Sequence, residues 1–238
     1  MNDPGTGHAD VDTDLPERFS LVAGGGFHAL LGRFGLLEAD ELPSYGAAIA
    51  LALIAWSIPA AFVVIQSLLV DTYSGWDYFE DPTVYSRYLV AIVVMIATER
   101  MADNRVNLLV RQFRDAQILD AANRARFAAA IRQADKRASS KGAELVILLV
   151  AFIWSVATTR LASVVSADSW EGAIAAGETV LSWAGDVSAF TSNALFLFLV
   201  LRWLWRFVIW ASLLRKTSRF QLQIMPLHPD RCGGLGFL

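Results

Sequence analysis

Cysteine and charge are both scarce in this chain. Its 238 residues include a single cysteine, Cys232, and charged residues make up 18% of the sequence. One cysteine excludes an internal disulfide and any metal cluster built on several thiolates. A soluble domain has about 25% charged and about 45–50% apolar residues, whereas 55% of this sequence is hydrophobic. The excess of apolar side chains indicates that part of the chain contacts lipid rather than water.

Lysine and arginine are missing from two connectors between apolar segments. Residues 71–86 and 166–188 contain acidic and aromatic residues but no basic one, whereas residues 105–141 carry many arginines and lysines. Basic loops stay on the cytoplasmic side of a membrane. The alternation therefore predicts four crossings with both termini in the cytoplasm. Because the basic residues lie beside apolar spans, the pattern also argues against nucleic-acid binding.

Four apolar segments supply the predicted crossings, at about residues 46–70, 87–106, 144–165 and 188–210. Each is close to the ~20 residues that a helix needs to cross a bilayer. Pro59 predicts a kink in the first of them. The predicted fold class is all-α: a polytopic helical membrane protein with four transmembrane helices and a cytoplasmic helical hairpin.

The segments around these spans lead to separate predictions. Residues 1–16 are rich in glycine and aspartate and predict a disordered tail. Residues 17–43 have apolar side chains at helical spacing, which predicts an amphipathic segment at the membrane interface or packed on the bundle. The four-helix domain occupies residues 44–220. Within it, residues 107–142 predict the hairpin, whose basic faces either contact anionic lipid or are simply solvated.

Charged residues inside the second and fourth segments are the least expected feature. Glu99 and Asp103 are four residues apart, as are Arg202 and Arg206, so each pair lies along one helix face. Counting from the segment ends puts the two pairs at comparable depths, which predicts a ladder of two ion pairs. An unpaired charge at mid-bilayer costs upward of ~2.5–3.5 kcal/mol, which favours pairing. Two interpretations stay open. The charges line a proton or ion path, or they lie at the membrane interface and hold the helices together.

A second candidate site lies near the end of the sequence, at His228, Asp230 and Arg231. Histidine can act as an acid or base near neutral pH, and the aspartate could orient it. The alternative is a rigid, proline-stiffened turn. The glycines that follow lack the Lys-Ser/Thr of a phosphate loop, and the other two histidines have no plausible metal partners. The sequence therefore predicts neither a cofactor nor a metal.

The segments RWLWRFVIW and SRFQLQIMPLHPDRCGGLGFL resemble the signature RWLWR…HPDRxGGLGFL of a family of uncharacterised bacterial multi-pass membrane proteins. The segment SRYLVAIVVMIATERMADNR is also similar to the second span of that family. Cys232 stands where a small residue is expected. The resemblance implies an inner (plasma) membrane protein of this topology and brings no activity. It also implies that residues 221–238 form a turn leading to a further span, so that this chain corresponds to the N-terminal part of the family.

Three functions remain open on this basis. The chain is a transport or channel-like component with a polar path near Glu99 and Arg202, a membrane-bound enzyme or sensor with a cytosolic site at His228, or a membrane scaffold. The expected partners are the lipid bilayer, with anionic lipid at the cytoplasmic face. Assembly into a homo-oligomer is also left open.

Overall fold

The computed structural model describes residues 19–20, 22, 24–37, 42–71, 73–115, 121–165, 169–175 and 178–220, and this part of the chain is mostly helical. In chain order its helices are α1 (Gly26–Arg33), α2 (Tyr45–Leu69), α3 (Pro82–Val84), α4 (Ile92–Asp115), α5 (Ala121–Ala138), α6 (Lys141–Val165), α7 (Trp183–Phe190) and α8 (Ser192–Thr217). A 3-10 turn (Trp76–Phe79) precedes α3, and a π-helical segment (Tyr85–Ala91) joins α3 to α4.

Three helical segments of the described chain are long and apolar enough to cross a membrane: Tyr45–Leu69, Lys141–Leu161 and Trp183–Thr217. They overlap the predicted first, third and fourth spans. Their outer faces leave large apolar side chains exposed, among them Leu53, Ile153 and Phe207. Apolar surface on this scale marks an interaction with lipid or protein. Together with the length of the helices, it supports a membrane protein.

The predicted second span, residues 87–106, is helical throughout but is not among these three segments. Its apolar run is short because Glu99, Arg100 and Asp103 follow closely. Helix α4 then continues without a break to Asp115, far past the end that the sequence predicted. The first helix of the predicted hairpin is thus an extension of α4 and not a separate element.

Helices α4 and α5 meet the second half of α8 in a buried apolar cluster. Phe113 and Phe127 pack with ring centroids 5.5 Å apart, and Ile131, Ile209 and Leu213 complete the contact. These side chains recur at helical spacing on their elements, so each helix buries one apolar face. The cluster fixes the basic helix α5 against the end of α8.

The last predicted span consists of two helices with a break between α7 and α8. Thr191 at the break has φ −119° and ψ −80°, outside the helical region. Its hydroxyl donates to the Val187 carbonyl at 2.6 Å, and the Ser192 hydroxyl donates to the Ala55 carbonyl of α2 at 2.5 Å. Hydroxyl groups that bond to backbone carbonyls in this way bend helices. The sequence predicted one continuous span here, with polar residues 191–193 ahead of its apolar run.

The connector between α6 and α7 contains two strands that an all-α prediction misses. Strands β1 (Gly172–Ala175) and β2 (Glu178–Leu181) are antiparallel, with Gly172 opposite Leu181. The Ser182 amide donates to the Glu171 carbonyl at 2.8 Å, which extends this pairing to the start of α7. Gly185 of α7 lies so close to the hairpin that a Cβ there would be 2.6 Å from the same carbonyl oxygen.

Aromatic residues of the other acidic connector pack into the end of the bundle. Tyr78 is fully buried, its hydroxyl donates to the Trp56 carbonyl at 2.6 Å, and its ring meets Trp170 edge-on at 4.9 Å. Burial raises the pKa of the Tyr78 phenol well above its ordinary value. The hydroxyl therefore stays protonated and remains a donor. Through Tyr78, the two acidic connectors form one packed layer over α2.

Candidate functional site

Glu99 of α4 is the centre of a buried cluster of charges. Its Oε1 atom accepts from Arg202 Nη1 at 2.5 Å and from Arg206 Nη1 at 2.7 Å. The exposed fractions of Glu99, Arg202 and Arg206 are 1%, 5% and 6%. Because the two arginines are one turn apart on α8, both guanidinium groups reach the same carboxylate. The Glu99 Oε2 atom has no hydrogen-bond partner in the described part of the chain.

A second carboxylate, Glu144 of α6, completes the cluster. Its Oε1 atom lies 3.4 Å from Arg202 Nε, and its Oε2 atom accepts the backbone N–H of Gly26 at the start of α1. The face of the Arg202 guanidinium is covered by the Phe27 ring, whose centroid is 4.8 Å from the guanidinium carbon. This contact combines cation–π attraction with the exclusion of water. The cluster therefore joins α1, α4, α6 and α8.

The segment before α1 closes the cluster on the other side. Arg206 Nη2 donates to the Val22 carbonyl at 3.4 Å, and the Ser20 hydroxyl donates to Asp103 Oδ1 at 2.6 Å. Asp103 is fully buried and also accepts from the Asn107 amide at 3.2 Å. Polar contacts thus join Ser20 to α4, Val22 to α8 and Gly26 to α6.

Two glycines make the approach of this segment possible. Gly24 and Gly25 have φ angles of 99° and 90°, which side-chain-bearing residues rarely adopt. A Cβ on Gly25 would also lie 2.5 Å from Glu144 Oε2. The glycine run therefore lets the backbone reach the carboxylate of α6.

The cluster is electrically balanced and almost dry. Two carboxylates, Glu99 and Glu144, face two guanidinium groups, so the formal charges of these four side chains cancel; the buried carboxylate of Asp103 accepts from Ser20 and Asn107 instead. The cavity beside them, lined by Gly24, Glu144, Arg202 and neighbouring residues, has a volume of about 10 Å³. One water needs at least ~10–15 Å³ of such space. Balanced, desolvated charges of this kind favour a fixed set of contacts over an open path for ions.

The predicted pairing differs from the observed one in a specific way. The sequence predicted a ladder in which Glu99 and Asp103 would each meet one arginine. In the structure both arginines bind Glu99, while Asp103 binds Ser20 and Asn107. The contact of Glu144 with Arg202 was not predicted from the sequence. Its only signal was a carboxylate in the first turn of an apolar helix, which is common at helix N-termini.

The other predicted site, at His228, Asp230 and Arg231, lies outside the described residues. Among the residues that are described, no three His, Cys, Asp or Glu side chains come together in a way that could hold a metal ion.

A second polar region lies at the opposite end of the same helices. The buried Asn193 of α8 donates from Nδ2 to the Ser155 hydroxyl at 2.9 Å and accepts from Arg87 Nη1 at 3.3 Å. Beside it is a cavity of about 390 Å³. Between this region and the charge cluster lie buried apolar side chains, including Ile92, Ile96 and Leu199.

The geometry thus shows a compact charge cluster at one end of the bundle and a polar cavity at the other. Comparisons extend this no further: no protein-family model, no curated protein and no solved structure matches the chain.

Proposed function

We propose that this protein is a membrane scaffold that crosses the bilayer four times, with both termini in the cytoplasm. The observation that carries the proposal is the buried cluster of Glu99, Glu144, Arg202 and Arg206. Its charges balance, and the cavity beside it is about 10 Å³. An ion path needs room for a partly hydrated ion or a chain of waters. A charge cluster without that room holds helices in one arrangement.

The second crossing, which is not among the three long apolar segments, is α4 together with the π-helical segment before it. Its charges are the obstacle to such a crossing, because a charge facing lipid is costly. Glu99 and Asp103 are both buried against protein, and Glu99 faces two cations. This supports α4 as a membrane helix that packs its charged face inward, near the cytoplasmic interface.

The scaffold would bind its partners through the basic surface formed by α5 and the adjoining ends of α4 and α8. Exposed cations cover it, namely Arg105, Arg111, Arg126, Lys136, Arg137, Arg215 and Lys216. Anionic headgroups attract such residues with about 1 kcal/mol each near the surface. The chemistry favours contact with anionic lipid or with an acidic partner held at the membrane.

Transport is the second candidate, and the cavity of about 390 Å³ near Arg87 favours it. Two barriers would then close the path in an occluded state: the buried apolar layer of Ile92, Ile96 and Leu199, and the charge cluster around Glu99. Transport would require both barriers to open.

Flux measurements separate the two candidates. The purified protein is reconstituted in vesicles that contain a pH-sensitive dye, beside protein-free vesicles and vesicles with Glu99→Gln. The scaffold predicts proton flux equal to that of protein-free vesicles. A wild-type flux that Glu99→Gln abolishes, with the yield of folded protein unchanged, would contradict the scaffold and establish transport.

A further inference from the structure

The polar cavity at the outer end of the bundle has the size of a small-molecule site. It is bounded by the π-helical segment, by α6, by the turn that contains Trp170 and Glu171, and by α8. Its volume is about 390 Å³, and ligand sites in proteins are usually ~300–1,000 Å³. Nothing in the scaffold proposal uses this cavity.

Arg87 supplies a cation to the cavity. Its guanidinium donates to Asn193 at 3.3 Å and lies 5.8 Å from the centroid of the Phe196 ring. In the described part of the chain it makes no ion pair with a carboxylate. A guanidinium carries five N–H donors in a planar fork, so donors remain for an anionic group of a ligand. Asn193, fixed by Ser155, holds the fork in place.

Glu171 supplies a carboxyl group to the same cavity. Burial raises the pKa of its carboxyl group, and Arg87 only partly offsets that effect. No ion pair of Glu171 is found among the described residues. Asp81, the other carboxylate in the wall, is already engaged, because it accepts from the Thr83 amide at 2.7 Å and from Trp170 Nε1 at 3.4 Å.

A guanidinium group and a carboxyl group therefore line one cavity without an ion pair between them. We propose that this cavity binds a zwitterion with a primary ammonium group, whose anionic end lies on Arg87 and whose ammonium lies on Glu171. Two sources share this chemistry: a free solute of the amino-acid type and the headgroup of an ethanolamine phospholipid. The site is independent of whether the protein transports its ligand.

Thermal stability of the full chain in detergent tests the proposal. The probes are L-serine and phosphoethanolamine, which carry both charges, with ethanolamine and inorganic phosphate as single-charge controls. We expect both zwitterions to raise the melting temperature and to bind at least ~10-fold more tightly than either control, a difference of about 1.4 kcal/mol. Equal binding of all four probes, or of none, would overturn the proposal.

Variants locate the site. Arg87→Gln and Glu171→Gln are each expected to weaken zwitterion binding at least ~10-fold. Arg215 is exposed and lies at the other end of the bundle, so the control variant Arg215→Gln is expected to leave binding unchanged. Glu171→Gln removes a carboxylate that burial disfavours, so this variant should fold even where Arg87→Gln does not. Wild-type affinity in Glu171→Gln would contradict the assignment.

Vesicles distinguish the two sources. The melting temperature is measured in vesicles of phosphatidylglycerol alone and in vesicles that also contain phosphatidylethanolamine. If the ligand is the lipid headgroup, phosphatidylethanolamine stabilises the wild type but not Glu171→Gln, and L-serine adds little. If the ligand is a free solute, L-serine stabilises the wild type equally in both kinds of vesicle.

Discussion

Replacing Glu99 with glutamine is expected to lower the free energy of unfolding by about 3–5 kcal/mol, because it leaves two buried guanidinium groups without their shared partner. Both arginines are less than one-tenth exposed, so water cannot replace the lost carboxylate. The remaining cluster of Glu144, Arg202 and Arg206 would carry one excess positive charge. Thermal unfolding in detergent measures the effect, which corresponds to a fall in melting temperature of roughly 10 °C.

Two further variants separate charge balance from simple loss of a side chain. Glu80→Gln removes an exposed carboxylate and should melt like the wild type. The double variant Glu99→Gln with Arg202→Gln restores neutrality, so it should be less destabilised than the sum of the two single variants. If Glu99→Gln melts within error of Glu80→Gln, the cluster does not hold the bundle together.

Gly185→Ala is expected to destabilise the end of the bundle that carries the β1–β2 hairpin by about 1–3 kcal/mol, the usual cost of overpacking. The new Cβ would lie 2.6 Å from the Glu171 carbonyl oxygen and 3.2 Å from the Glu171 Cα. Both are backbone atoms, so no side chain can rotate away. Helix α7 and the β1–β2 hairpin must move apart, which strains the hydrogen bond from the Ser182 amide to the same carbonyl. Thermal unfolding again measures the loss.

Gly46→Ala is the matched control for this substitution. Gly46 lies in the first turn of α2, where a Cβ would meet Ser44 Oγ at 3.7 Å, an ordinary contact. Alanine favours a helix over glycine by roughly 0.5–1 kcal/mol, so this variant should be neutral or slightly stabilised. A melting temperature for Gly185→Ala equal to that of Gly46→Ala would show that the hairpin does not pack against α7 in this way.

The features that the sequence predicted are those encoded by local patterns. The spacing of Glu99 and Asp103, and of Arg202 and Arg206, indicated the faces on which charges meet. The apolar runs of α2 and α6 are long enough to be recognised without any tertiary information. The contact between Glu144 of α6 and Arg202 of α8 was not predicted, because the two residues lie far apart in the sequence. No spacing rule connects residues so far apart.

The remaining differences arise where tertiary contacts decide the local structure. The break at Thr191 depends on hydroxyl bonds to carbonyls of α2 and α7, which an apolar run does not reveal. The β1–β2 hairpin lies in a connector that was noted for its acidic and aromatic residues, and its pairing is stabilised by packing against α7. The close approach of Gly25 to Glu144 became evident only from the fold.

Whether α4 crosses the membrane decides the proposed arrangement, because α4 carries the buried carboxylates Glu99 and Asp103. Single cysteines are placed at two exposed positions, Ser74 after α2 and Ala125 on α5, in a chain with Cys232→Ser. A membrane-impermeant maleimide is then added to intact cells and to permeabilised cells. Four crossings predict that Ser74→Cys reacts in intact cells and that Ala125→Cys reacts only after permeabilisation. If the two positions react alike, α4 does not cross, and the membrane arrangement proposed for the charge cluster is contradicted.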